Sequence, residues 1–550
     1  MKKNAFTLVE LMAIIVIMAP ILLIILPAIN GTIKNSEEKK KQDALNSIYM
    51  AAENYLMANY EEYLNLDNVG AVEYVYIVDL ISNNYLSINT VNPNNDLAFT
   101  NQDTIKVTKK EDGTFEYELI YLKTLIETLM EQYQEGNAIG LVKDSSNSNL
   151  YYYTGTNEEV ANNFIWYGGH QWRVLEFDTK ENTLTLITQQ PLTAIQPANA
   201  VWTTSEDYYS SYINTWLNGY FWNSLDSKIQ NNILNNIFNV GLYTDVDEIT
   251  IKQSVGLLDY DQYLRAGNTD SFLDIKDAWL LGNYFDKSNF SRVNENGIHS
   301  SSTIAYVPGI RPVIKITNIT IIGGDGSLTN SYETANKTTN ISDIQVGEYI
   351  NVPYSGSDNA CGSDNMCTFR VVSKNSEGIK VVLNGILPTT SIWADNASDN
   401  ITTNDLIYKN VLNGFIKNID TEYIKAGTYG VGMYGSGSSY NIPQSSTITA
   451  YVGLPTVGEM FCGNDIDLET SSAKIFVDIN TIENPTVSNF YWTLNRSSSS
   501  YVRNMYKVGN LGVATTNYNN GMGVRPVIYL KNNLILLDGK GTAQNPYTLN

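Results

Sequence analysis

Histidine is almost missing from this chain: His170 and His299 are the only two in 550 residues. A nucleophilic triad of the usual kind takes its general base from histidine, so that chemistry has little to draw on. Cysteine is scarce as well, with three: Cys361, Cys367 and Cys462. No zinc-finger spacing and no His-rich metal site can be assembled from this set, so no metal, no cofactor and no catalytic residue is expected. Basic clusters are wanting too. Lys and Arg number 35 against 57 Asp and Glu, a net charge of −22. Apart from Lys2, Lys3 and the run Lys39–Lys41 there is no basic block. Nucleic-acid phosphates are gripped by Lys and Arg clusters, so nucleic acid is not expected as a partner.

What the chain does have is ring and amide surface. It carries 38 tyrosines, aromatics reach 11% while charged residues stay at 17%, and Asn is abundant. Rings stack and amides make paired hydrogen bonds, which suits a sugar or protein face. The plainer expectation for Trp166, Trp172, Trp216, Trp222, Trp279 and Trp492 is burial in a core. The length allows three or four domains. Asp and Glu are spread throughout, so a carboxylate-pair enzyme stays open as an alternative.

The N-terminus breaks the polar pattern. "FTLVELMAIIVIMAPILLIILP" runs from Phe6 to Pro27, and its only charge is Glu10. From Leu11 to Ile29 there is none, and at about 1.5 Å per residue that is roughly 28 Å, a bilayer's hydrocarbon thickness. Lys2 and Lys3 keep the preceding end cytoplasmic. No small-x-small cleavage site ends the run. After Gly31 apolar residues fall at Leu45, Ile48, Tyr49, Ala52, Tyr55, Leu56, Tyr60 and Tyr63, one face of a helix. A carboxylate in lipid costs about 2.5–3.5 kcal/mol, less if it meets a cation. A free amine at Phe6 of a neighbouring copy, made by cutting after Ala5, would be such a cation.

These residues resemble the type IV prepilin family: a short basic leader, then Phe-Thr-Leu-Val-Glu, then an apolar helix. The resemblance covers Lys2–Pro27. It implies processing between Ala5 and Phe6 by a prepilin peptidase and methylation of Phe6. It further implies an assembly role for Glu10 with other pilin subunits, and a helix kink at Pro27. Ala5 departs from the usual Gly before the cut, and Pro20 is an extra proline that breaks a helical hydrogen bond. The implied localisation is single-pass in the inner or cytoplasmic membrane before assembly, with the C-terminal domains outside, and the cell surface or an extracellular filament after it. For residues 6–64 the resemblance implies a long transmembrane and amphipathic helix.

A head and linker follow over 65–145. "AVEYVYIVDLISNNYL" (Ala71–Leu86) reads as a short strand and then a helix. "DTIKVTKKEDGTFEYEL" (Asp103–Leu119) reads as a hairpin: Ile105 and Val107 alternate on one arm, Phe115, Tyr117 and Leu119 on the other, and Asp112-Gly113 suits the turn. Leu122–Tyr133 reads as a helix leading out of the head, and Lys143–Asn149 as a polar linker.

The remainder repeats itself. "GIRPVIKI" from Gly309, with Arg311 and Pro312, matches "GVRPVIYL" from Gly523, with Arg525 and Pro526; each is followed by a Gly-rich tail, "GDGSLTNSY" and "GKGTAQNPY". Upstream, "WRVLEFD" from Trp172 and Arg173 pairs with "FRVVSKN" from Phe369. "VGLLDYDQYL" from Val255 pairs with "VGLPTVGEMF" from Val452, and "WLLGN" from Trp279 with "WTLNR" from Trp492. The chain therefore carries two copies of one module, 146–335 and 336–550. Arg311 and Arg525 recur at one module position, and the simplest expectation is that each is paired internally. His170 has Cys367 as its counterpart, so it is not a shared catalyst. Cys361 and Cys367 bracket a short loop that a disulfide could close outside the membrane.

The module resembles bacterial surface domains found singly or in tandem behind signal or pilin segments, on Trp172-Arg173-Val174, Trp216-Leu217-Asn218, Trp279-Leu280 and Gly309-Ile310-Arg311-Pro312. Its "GVRP" close is similar to the "GFR" close of C-type-lectin-like and formylglycine-generating-enzyme-like folds. The expected fold class is α+β: a long N-terminal pilin helix with a small antiparallel sheet, then two related α+β modules of lectin-like type. The expected function is a minor or tip pilin displaying tandem modules that bind a surface glycan or protein. The alternatives are a large pseudopilin of a type II secretion or DNA-uptake machine, and an enzyme displayed on a pilin stem. Mass spectrometry of the exported protein's N-terminus should find a methylated Phe6; a mature start beyond Ile29 would mark an ordinary secretory signal instead.

Overall fold

The computed structural model describes residues 36–549 apart from 60–65, 245–248, 276–278, 304–307, 335–339, 357–360, 362–364, 396–400, 434–445, 457–458, 460–473, 476–490, 497–500 and scattered single positions. The roles expected of Ala5, Phe6 and Glu10, and the residue Cys462, lie outside the described residues, as does the apolar run Leu11–Ile29. Among the described residues no helix is long and apolar enough to cross a membrane.

The α+β expectation is corrected. Strand outweighs helix, 36% to 20%, spread over several sheets, and the long N-terminal helix is not found among the described residues. The reason lies in the modules. Their helical segments are only a few residues long, such as Tyr212–Thr215 and Asn413–Ile416. Gly, Asn and turn residues end them before propagation can repay nucleation.

Contacts divide the chain into two compact units, Met1–Thr124 and Leu125–Asn550. In the first, a helix over 38–58 buries Ile48, Ala52, Tyr55 and Leu56, a three-to-four spacing, together with Val75, Ile105, Val107 and Leu119 of the sheet. That sheet is antiparallel in the order Val72–Tyr76, Thr104–Lys109, Phe115–Ile120. Its hairpin turns at Gly113, whose φ of +84° a side chain would resist. The Asp112 carboxylate accepts from the Thr114 amide there at 2.9 Å.

In the second unit the helix Leu125–Gln134 buries Leu125, Ile126 and Leu129 in the larger core. It therefore leads into the modules rather than out of the head. The polar run expected as a linker is the turn of a hairpin between Leu141–Lys143 and Leu150–Tyr153, tightened by Asp144 accepting from the Ser146 and Asn147 amides.

The two copies share one sheet topology. In the first the order is Ile233–Leu234, Val313–Thr317, Thr183–Thr188, His170–Asp178, Phe164–Tyr167, Tyr332–Thr334. In the second it is Ile424–Lys425, Val527–Leu530, Gly378–Leu383, Met366–Asn375, Tyr349–Pro353, Tyr547–Thr548. All neighbours are antiparallel except the last pair, which is parallel in both copies. Register agrees residue by residue: Phe164 faces Arg173 as Tyr349 faces Arg370, and Val313 faces Ile187 as Val527 faces Val382. The central strands Thr183–Thr188 and Gly378–Leu383 are buried along their whole length. Covered on both faces, they need no strict alternation of apolar and polar residues.

One register differs from the sequence pairing. Trp279 bridges Gly309, and Tyr491 bridges Gly523. The counterpart of Trp279 is therefore Tyr491, and Trp492 corresponds to Leu280. The Gly-rich tails are plain turns: Gly324 and Gly326 in one copy, Gly539 and Gly541 in the other, all adopt positive φ. Another glycine pair marks close packing. A methyl on Gly256 would run into the Phe238 ring, and one on Gly453 into the Tyr429 ring. Gly256→Ala and Gly453→Ala should each cost about 1–3 kcal/mol by overpacking, read as a lower denaturant midpoint at unchanged slope; an unchanged midpoint would contradict the shared close approach.

Candidate functional site

The signature residues of the repeat are brought together inside the modules. Arg311 is fully buried. Its Nε donates to the Thr188 carbonyl at 2.9 Å and its Nη1 to the Leu273 carbonyl at 2.8 Å. The guanidinium lies 4.7 Å over the Trp279 ring. Arg525, equally buried, donates from Nε to the Leu383 carbonyl at 2.6 Å and lies 5.3 Å over the Tyr491 ring. Pro312 and Pro526 continue the join, their carbonyls accepting from Thr188 and Leu383. Arg173 is held between the rings of Phe164 and Phe272, at 4.2 and 4.8 Å, and donates to Asn163 at 2.8 Å. Trp172, Trp216, Trp279 and Trp492 are buried, while Trp166 and Trp222 are only half-buried. The buried ones hold the fold and offer a ligand nothing.

His170 is buried against the rings of Trp172 and Phe221. Burial, with the charge of Arg370 adding to it, pushes its pKa down to about 3. The structure puts Cys367 at the matching position of the second copy, where it forms a disulfide with Cys361.

Two other places gather exposed chemistry. The first is a cleft of about 340 Å³ between the copies, lined by Trp166, Lys228, Glu333, Glu348, Lys540 and Tyr547 among others. Lys540 forms an ion pair with Glu333 and donates to Asn330 Oδ1 at 3.2 Å, tying the second copy's tail turn to the first copy's. Glu348 sits buried at the cleft wall. It accepts from the Gln345 amide at 2.7 Å and from the Tyr547 hydroxyl at 3.3 Å. Burial outweighs these bonds and pushes its carboxyl up to about 8. Among the described residues no group of acids, His or Cys is placed to hold a metal ion.

The second is a cluster of four rings on the first copy. Tyr260 and His299 lie 4.2 Å apart, Tyr243 lies 5.0 Å from Tyr260 and 4.9 Å from His299, and Phe285 lies 5.0 Å from Tyr243. All four are half-buried. His299 and Phe285 come from the hairpin edge of the smaller sheet, and Tyr260 opens the helix Tyr260–Arg265. The Tyr260 amide is anchored on Asn283 Oδ1 at 2.8 Å. Burial among the rings pushes the His299 pKa down to about 4, so the cluster is uncharged near neutrality. Counted along the sequence from the matching strands, Val457 and Ser497 stand where the first copy has Tyr260 and Phe285, while Tyr434 stands where it has Tyr243. Sequence reasoning missed this cluster. Its signal was divergence at two of the four positions, Tyr260 and Phe285, where the second copy's sequence has no ring.

No family model, no curated protein and no solved structure matches the chain.

The raised carboxyl of Glu348 has a stability consequence. Its folded pKa of about 8 exceeds the ordinary 4.5, so the folded state holds the proton more tightly than the unfolded chain does. That contribution is complete below about pH 4.5 and is lost as pH rises towards 8. Glu348→Gln should flatten the decline in urea stability across this window; an unchanged slope would mean the carboxyl is not held protonated.

Proposed function

We propose that the chain is a surface-displayed, prepilin-type subunit whose tandem modules bind a saccharide. The observation that carries the binding role is the half-exposed ring cluster of Tyr243, Tyr260, Phe285 and His299. A core needs no such rings at its margin, and the second copy's sequence lacks two of them. Stacked, uncharged rings suit the apolar face of a sugar, and nearby amides suit its hydroxyls. The display role is supported by the leader, the Phe-Thr-Leu-Val-Glu stretch with Glu10, and the uncharged run Leu11–Ile29. On this reading the partners are prepilin peptidase, other prepilin-type subunits and the membrane, with the modules outside the cell.

The buried state of the repeat-signature arginines also favours binding over catalysis at shared positions.

Cells displaying the protein should bind an immobilised saccharide panel, and soluble saccharide should compete. Tyr260→Ala combined with Tyr243→Ala should lower that binding about tenfold or more, consistent with the loss of one or two stacking contacts, with the variant still fully folded by circular dichroism at the assay temperature. Equal binding by the double variant would rule out the ring cluster as the site.

A further inference from the structure

A charged pair lies inside the second copy where the first copy has none. Lys380 and Glu459 are buried, at 3% and 8% exposure, with the Lys380 Nζ against Glu459 Oε1. They are 79 residues apart in sequence. The ammonium is flanked by the rings of Tyr429 and Tyr529, at 4.7 and 5.3 Å. The other carboxylate oxygen, Oε2, accepts from the Thr456 amide at 2.9 Å, and Thr456 Oγ1 accepts from the Glu459 amide at 3.2 Å.

The repeat shows which part of this is ordinary. In the first copy Asp259 and Gln262 form the same reciprocal cap. The residue in register with Lys380 is Thr185, which bonds Glu176 Oε1 at 3.4 Å. The cap is thus a property of the module, while the amine and the acid meeting beside it belong to the second copy alone. A buried ion pair is a poor way to add stability, because two desolvated charges recover little more than they lose. A capping glutamine would serve as well without the penalty.

We infer that Lys380 and Glu459 are joined by an isopeptide bond, an amide between the lysine side-chain nitrogen and the glutamate side-chain carbon. Bond formation begins with a proton passing from the ammonium to Glu459 Oε1, the oxygen it touches. The amine lone pair attacks the carboxyl carbon. Oε2 takes up the negative charge and is stabilised by the Thr456 N–H, as an oxyanion is by a fixed donor. The bond from the carbon to Oε1 then breaks, and that hydroxyl leaves with a second amine proton as water. One proton stays on the new amide, so an ammonium and a carboxylate give an amide and one water, with no oxidant, reductant or cofactor. The two groups are fixed in contact by the fold, which supplies the proximity that makes amide formation accessible without activation. The bond removes both buried charges. It ties the central strand Gly378–Leu383 to the turn after Val452–Gly453, a covalent staple in a part meant to stay folded outside a cell.

The test is the mass of the purified full-length protein, reduced to open the disulfide. It should be lighter than its processed sequence by one water, and tandem mass spectrometry of a digest should find a branched peptide joining residues 380 and 459. Lys380→Met should restore the full mass and lower the melting temperature. Recovery of both residues only in linear peptides, at full mass, would overturn the bond. Since the wild-type mass alone decides, a failure of the variant to fold leaves the answer intact.

Discussion

Each module depends on one buried arginine laid over a ring. Arg311 and Arg525 open the last long strand of the main sheet, and each bonds the carbonyl that ends the neighbouring strand, Thr188 or Leu383. The same guanidinium covers Trp279 or Tyr491, which belongs to the smaller sheet. A single side chain thus fixes the angle between two sheets. The arrangement works because a guanidinium is planar: its edge donates hydrogen bonds while its face stacks. Lysine could do only half of this. The glycine before it and the proline after it serve the same join, one admitting the ring's strand and the other supplying a carbonyl to the neighbour.

Within 125–550 the two modules meet through backbone. Gly169 and Gly347 adopt positive φ, and a methyl on either would strike the other copy's main chain. His170 lies beneath that crossing, which accounts for its burial and its neutrality. The cleft alongside is bounded by the two tail turns, held together by Lys540 and Glu333. Glu348, from the start of the second copy, is buried there as a by-product of the same docking.

Function is therefore sought where the copies differ. What they share is spent on holding the sheets together. Tyr260 and Phe285 of the ring cluster, the Lys380–Glu459 pair and the Cys361–Cys367 disulfide have no counterpart in the other copy's sequence. Duplication supplied a stable frame twice, and each frame could then vary at its margins without losing the arginine join.

The sequence by itself determined the repeat and the hairpin over Asp103–Leu119, because these rest on local order. It also pointed to Arg311 and Arg525 as internal. It misjudged the balance of helix and strand, since nothing in a local pattern reveals that the modules' helical segments will end within a turn or two. The pairing of Trp279 with Tyr491 rather than Trp492 was decided by tertiary structure alone. A one-residue shift in a strand exchanges its faces, and only contact with Gly309 and Gly523 distinguishes the two. The same holds for Lys380 and Glu459, and for the four rings drawn from three separate segments. Their chemistry depends on groups far apart in the chain meeting in space, and no local pattern encodes that meeting.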